Sequence, residues 1–176
     1  MKRALLIVMA LLLTGCSSPE QAAIQGEVIS CATVTSDKSI TQGISVECVD
    51  GSAGTVIESL RGPMIINVWG SWCTSCLAEM PEFVSFYSKA KGKVQLVGVA
   101  VEESSPANSR KFIEEHGMTW PNYYDRDNKT RSYFGMGVPV TWFIDASGAA
   151  KYKKIGVVKS EQELMALTEK YLGVKI

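Results

Sequence analysis

Met64-Ile65-Ile66-Asn67-Val68-Trp69-Gly70-Ser71-Trp72-Cys73-Thr74-Ser75-Cys76 decides how the rest of the chain is read. An apolar β-type run feeds a Gly/Ser turn, then two cysteines two residues apart, then a helical pattern carrying Leu77, Met80, Val84 and Tyr87. That order predicts a buried strand over 64–69 and a helix over 74–89, with Cys73 at the helix start. There, unpaired backbone N–H groups and the positive end of the helix dipole favour a thiolate. An ordinary thiol titrates near ~8.5, whereas a helix-start Cys-x-x-Cys position reaches ~3.5–7.5. Cys76 follows within one turn, close enough to close a disulfide onto Cys73 and open it again. The chemistry implied is thiol–disulfide exchange. Against it stand a purely structural disulfide and a metal site. A zinc site wants four ligands and His116 is the lone histidine, while haem attachment needs a histidine where Leu77 stands. No metal and no cofactor is called for.

Outward from this stretch, the N-terminus reads as an export signal. Lys2 and Arg3 precede an apolar run over 4–13 that is too short to span a bilayer, and Leu13-Thr14-Gly15-Cys16 follows. This ending resembles a bacterial lipobox, which implies a signal peptide over 1–15 and lipidation of Cys16; the alternative is an ordinary signal peptide with a chance cysteine. Residues 16–25 are small and polar, a tether to a single domain over 26–176. Without Lys2 and Arg3 the chain holds 16 basic against 18 acidic residues. That balance gives no basic surface for nucleic acid and no basic run for an anionic membrane.

Export also divides the cysteines by role. With Cys16 lipidated and Cys73 and Cys76 paired, Cys31 and Cys48 remain, bracketing a polar stretch between β-type runs at 27–29 and 45–49. A bond between them would staple an N-terminal hairpin-like extension and stabilise it by about 3 kcal/mol. A second redox pair is the other reading, which the absence of a helix start at either cysteine disfavours.

Downstream, strand and helix patterns alternate. Strands are expected at 94–101, 120–124, 138–145 and 149–157. Helices are expected at 108–116 (ended by Gly117), at 127–134 capped by Asp127, and from Ser160 onward with Leu164, Leu167 and Leu172 inside. Pro81 lies within the first helix, and His116 reads as a helix-end residue without a catalytic role. No internal repeat is visible. The class is α/β.

From about Leu60 to the C-terminus these residues resemble the thioredoxin superfamily. More narrowly, they resemble its membrane-anchored TlpA/ResA branch. The resemblance is carried by Asn67-Val68-Trp69-Gly70-Ser71-Trp72-Cys73-x-x-Cys76, by Glu79 and Pro81, and by Gly137-Val138-Pro139 before Thr141-Trp142-Phe143-Ile144-Asp145. It implies a central mixed sheet flanked by helices, with an added helix–strand unit between the Cys-x-x-Cys half and the Pro139 half. Cys73 would be the nucleophile and Cys76 the resolving thiol. Asn67 stands where ordinary thioredoxins have a buried acid, and Glu79 takes over that proton-handling task. The alternative for Glu79 is an idle acid in the first turns, favoured by the dipole. The resemblance also implies a cis Pro139 that offers the Val138 backbone to substrate, with Trp69 and Trp72 shielding the cysteines and contributing to docking; for both tryptophans, core packing is the other reading. Two departures stand out: Thr74-Ser75 lies between the cysteines where relatives often carry proline, and the Cys31/Cys48 pair is absent from many members.

The function implied is an extracytoplasmic, lipid-anchored thiol–disulfide oxidoreductase on the outer face of the cytoplasmic membrane. In the reductive direction it would keep exported protein thiols reduced, those of apocytochrome c among them, with electrons from a membrane thiol carrier. The rivals are an oxidase inserting disulfides into exported proteins and a non-catalytic lipoprotein binding module.

Overall fold

The computed structural model describes residues 25–176; the expected signal peptide, Cys16 and nearly all of the tether lie outside them. Within them, eleven elements follow in order: β1 (Ser45–Cys48), β2 (Thr55–Val56), β3 (Met64–Trp69), α1 (Thr74–Ala90), β4 (Gln95–Val101), α2 (Pro106–Glu115), β5 (Asn122–Asp125), α3 (Arg131–Phe134), β6 (Val140–Ile144), β7 (Ala150–Ile155) and α4 (Glu161–Leu172). The strands form one sheet in the order β2-β1-β5-β4-β3-β6-β7. β3, β4 and β5 run parallel, and β1, β6 and β7 run antiparallel to their neighbours. This is the central mixed sheet that the resemblance implies.

All six residues of β3 are buried, and their alternation divides the core. Ile65 and Trp69 point to one face, where Phe83 and Phe86 of α1, Phe112 and Ile113 of α2 and Leu164 of α4 cover them. Met64, Ile66 and Val68 point to the other, towards Phe134 of α3, Ile57 and Leu60. A central strand buried on both sides has no polar face, which is why its sequence is an unbroken apolar run apart from Asn67.

The N-terminal hairpin is present with different arms from those expected. β1 pairs with β2 and hydrogen-bonds into the main sheet against β5, whereas the run at 27–29 contributes only a single bridge, Ile29 to Pro121. Two other local expectations change. Asp127 does not cap α3; it is exposed and pairs with Lys129 at 2.8 Å. Buried Asp125 accepts instead from the N–H groups of Lys129 and Thr130 and from the Thr130 hydroxyl. An acid at the end of a strand is already sheltered and fixed, so it captures the donors of the following turn. The second helix starts at Pro106 rather than 108, because Pro fits the first helical position without losing a hydrogen bond. It ends at Glu115 with His116 as its C-cap, followed by Gly117 at φ +71, a left-handed turn that glycine adopts without strain.

Candidate active site

The strand–turn–helix junction builds the site. Cys73 is the N-cap of α1, and its Sγ accepts the Cys76 N–H at 3.0 Å. Ser75 Oγ lies 3.4 Å from the same sulfur. Cys73 and Cys76 are joined in a disulfide and are 6% and 0% exposed. When the bond opens, those two donors and the helix N-terminus face Cys73 Sγ, so negative charge left on that sulfur is met by dipoles already in place.

The turn before the helix is held from a distance. Glu103, just after β4, accepts from Ser71 N at 2.5 Å and from Ser71 Oγ at 2.7 Å. Trp72 Nε1 donates to Val101 O at 3.2 Å, and a side chain at Gly70 would meet the Trp72 indole at 2.6 Å. Glu103 is a site residue that the sequence did not signal, since 32 positions separate it from Ser71.

Glu79 lies on the same helical face as Cys76, three residues on. It is wholly buried. Its Oε1 accepts from Asn67 Nδ2 at 2.8 Å and its Oε2 from Val158 N at 2.9 Å. Burial raises the carboxyl from its ordinary 4.5 to about 7, with the two donors and the Lys154 charge pulling the other way and Glu163 pushing it up. A carboxyl that titrates near neutrality accepts and returns a proton readily.

Val138 and Trp72 line one groove, together with Phe134, Arg131 and the 77% exposed Met136. Trp72 is 54% exposed and Val138 half-buried. The Val138–Pro139 bond is cis, as is Gly62–Pro63. Trp69 requires a correction. It is 0% exposed, stacked on Phe112 at 4.7 Å, and donates from Nε1 to Asn122 Oδ1 at 3.1 Å. It packs in the cluster that contains both cysteines and has no surface to offer a docking protein. A tryptophan ending a doubly covered strand is held by the helices above it, and only the next one, past the turn, reaches solvent.

Cys31 and Cys48 form a second disulfide, and they sit in the core cluster on the other face of the sheet. His116 ends α2 with its ring against Phe112 at 4.4 Å. Among the described residues no helix is long and apolar enough to cross a membrane, and no group of three or more His, Cys, Asp or Glu is placed to hold a metal.

Residues 43–153 match the AhpC/TSA family. The chain is 30% identical over 109 residues to the thiol-disulfide oxidoreductase ResA of Bacillus anthracis, which covers 60% of this chain. It is 30% identical over 128 residues to the thiol:disulfide interchange protein DsbE of Pseudomonas fluorescens, which covers 72%. Each match spans 62% of the relative's own length. Among solved structures, a secreted Mycobacterium tuberculosis disulfide oxidoreductase homologous to E. coli DsbE superposes with a TM-score of 0.62 at 22% identity, over 72% of this chain and 94% of the other. The fold is thioredoxin-like.

Proposed function

The chain belongs to the AhpC/TSA family, and from that premise we propose that it is an extracytoplasmic thiol–disulfide oxidoreductase acting, in the reductive direction, on cysteines of exported proteins. The observation that carries this reading is Cys73 as the N-cap of α1, its sulfur facing the Cys76 N–H and the Ser75 hydroxyl, with Glu79 on the same helical face.

In the reaction the Cys73 thiolate attacks one sulfur of a substrate disulfide. A Cys73–substrate bond forms, and the substrate's own S–S bond breaks to release one thiolate. Cys76 then passes its proton to the Glu79 carboxylate and attacks Cys73 Sγ. The Cys73–Cys76 disulfide forms and the second substrate thiolate leaves. Two electrons have moved to the substrate, and the two thiol protons end on its sulfurs by way of Glu79 and solvent. Trp72, Met136 and Val138 would take up the substrate backbone beside the cysteines. A membrane thiol carrier would return the pair to the dithiol.

Supporting the direction are relatives named ResA and DsbE; maturation of cytochrome c, with apocytochrome thiols as substrate, is the task we assign. Residues 1–15 would be removed, Cys16 lipidated, and residues 26–176 held on the outer face of the cytoplasmic membrane. Replacing Cys16 with Ala should release the protein from the membrane fraction. The deciding measurement is the equilibrium potential of the Cys73–Cys76 pair against glutathione. A value near or below about −250 mV is expected; one near about −120 to −180 mV would make the protein an oxidase instead.

A further inference from the structure

Val101-Glu102-Glu103, where the chain leaves β4, grips the turn before α1 at three points. Glu103 Oε1 accepts from Ser71 N at 2.5 Å and Oε2 from Ser71 Oγ at 2.7 Å. Val101 O accepts from Trp72 Nε1 at 3.2 Å. Between the two, Glu102 sits at φ +55, a left-handed conformation that residues other than glycine rarely take. Its N–H is held by Asn128 Oδ1 at 2.8 Å, and its carboxyl pairs with Arg131 of α3 at 3.2 Å. A backbone held in such a sparse region persists only where its surroundings over-determine it. Here the strained turn lets residues 101 and 103 both reach the 70–72 turn, while residue 102 reaches towards α3.

This grip accounts for the state of Trp72. The residue is 54% exposed and lines the groove, yet its ring is pinned. The indole folds back over Gly70, where a Cβ would come within 2.6 Å of Nε1, and its N–H is spent on Val101 O. The backbone beneath the ring is fixed one residue earlier, at Ser71, which Glu103 takes by the N–H and the hydroxyl together. Glu103 itself is only 9% exposed. A large exposed side chain that is loose must be ordered when a partner arrives, at a cost in affinity that a pinned one avoids.

We propose that Glu103 is a positioning residue for the exchange reaction: by holding Ser71 it presets Trp72 as a fixed wall of the substrate groove. The role rests on the proposed use of that groove by a protein substrate. Glu103 hydrogen-bonds to Ser71 and to neither cysteine, so it acts through its neighbours. Hydrogen bonding, not charge, carries the effect. Glu103→Gln keeps an oxygen for Ser71 N and offers an amide donor to Ser71 Oγ, which turns from donor to acceptor. Glu103→Ala loses both contacts.

The test reads Trp72 directly, by NMR hydrogen exchange of the indole N–H groups in oxidised full-length protein. Trp69 is the internal reference, because its N–H is bonded to Asn122 in the core. Glu103→Ala should speed Trp72 exchange by about threefold or more and leave Trp69 at the parent rate. Glu103→Gln should restore the parent pattern, and Ser71→Ala, which removes one of the two contacts, should fall between. In insulin reduction, Glu103→Ala should raise KM by about two- to tenfold, with a smaller change in kcat. Trp72 exchange at the parent rate overturns the proposal, as does acceleration of Trp72 and Trp69 by the same factor, since Glu103 then supports the fold at large. Exchange in Glu103→Gln as fast as in Glu103→Ala, or a KM that ignores a loosened Trp72, overturns it equally. Should Glu103→Ala not fold, Ser71→Ala carries the same reading. Exchange needs no turnover, so a parent protein inactive towards insulin would remove the use of the groove and leave the positioning of Trp72 decided.

Discussion

The two disulfides make the same bond at almost the same depth and differ in the chain they close and in the balance of dipoles around them. Cys31 and Cys48 are 5% and 4% exposed, Cys73 and Cys76 6% and 0%. The first pair spans 17 positions and ties a short 3-10 turn to β1. The second spans three positions at the start of one helix. A bond that closes a long stretch of chain restricts the unfolded state, and one that closes a single turn restricts little. Around the sulfurs the contrast runs the other way. Cys73 Sγ faces a helix N-terminus, the Cys76 N–H and a serine hydroxyl. In the first pair Cys48 Sγ meets one N–H, that of Cys31 at 3.2 Å, but both sulfurs also lie against a carbonyl oxygen, that of Asn122, at 3.4 and 3.7 Å, and neither stands at the start of an α-helix. A carbonyl repels a thiolate. Burial does not distinguish a reactive disulfide from a staple; the balance of donors and acceptors around the sulfurs does.

The sharpest way to break the comparison is to remove a sulfur from each pair. Cys73→Ser should reduce disulfide exchange to the uncatalysed background in an insulin-reduction assay while leaving the unfolding midpoint near the parent's. Replacing Cys31 and Cys48 together with Ala should do the reverse: exchange is kept, and stability falls by about 3 kcal/mol in urea unfolding of the oxidised protein. If the second variant lost activity in step with the first, the two bonds would be one functional unit and the contrast would fail.

Much of this division was legible in the chain because it depends on neighbours in sequence. β3 shows as an apolar run since both its faces are covered, and the helix start at Cys73 is a local pattern. What escaped needs the third dimension. Glu103 reaches Ser71 across 32 positions. Trp69 and Trp72 have the same side chain, and only the packing of Phe112 over one of them settles which is core. β2 is two residues long, too short for any alternation, so nothing in the sequence marks it as the hairpin's second arm.

Glu79 sharpens the comparison next, because only the helical pair has a titrating acid on its face. In the unfolded chain this carboxyl titrates at its ordinary 4.5, in the folded protein at about 7. Between those values the folded state holds a proton that the unfolded state has lost, so stability falls as pH rises through that window and levels off above it. Relative to Glu79→Gln, which does not titrate, the parent should lose about 2–3 kcal/mol between pH 4 and pH 8. Urea unfolding of both oxidised proteins across that range measures it, and parallel curves would mean the carboxyl is not burdened by burial. Glu79→Gln should also slow turnover and flatten its pH profile; rates unchanged from pH 5 to 9 would remove Glu79 from the proton path.

The smallest effect isolates what the dipoles around Cys73 contribute. Ser75→Ala removes one of the two side-on donors at 3.4 Å and leaves the helix, the Cys76 N–H and the fold untouched. An ordinary hydrogen bond is worth about 0.5–1.5 kcal/mol net and one to a charged group more; with the lower figure taken for this 3.4 Å contact to sulfur, the reduced variant should hold less thiolate at mildly acid pH. Alkylation of Cys73 should slow by about threefold there and converge on the parent rate once both thiols are fully ionised. Convergence at high pH is the decisive feature: a rate deficit that persisted there would mean that Ser75 opens access to the sulfur, and that the helix start alone sets its charge.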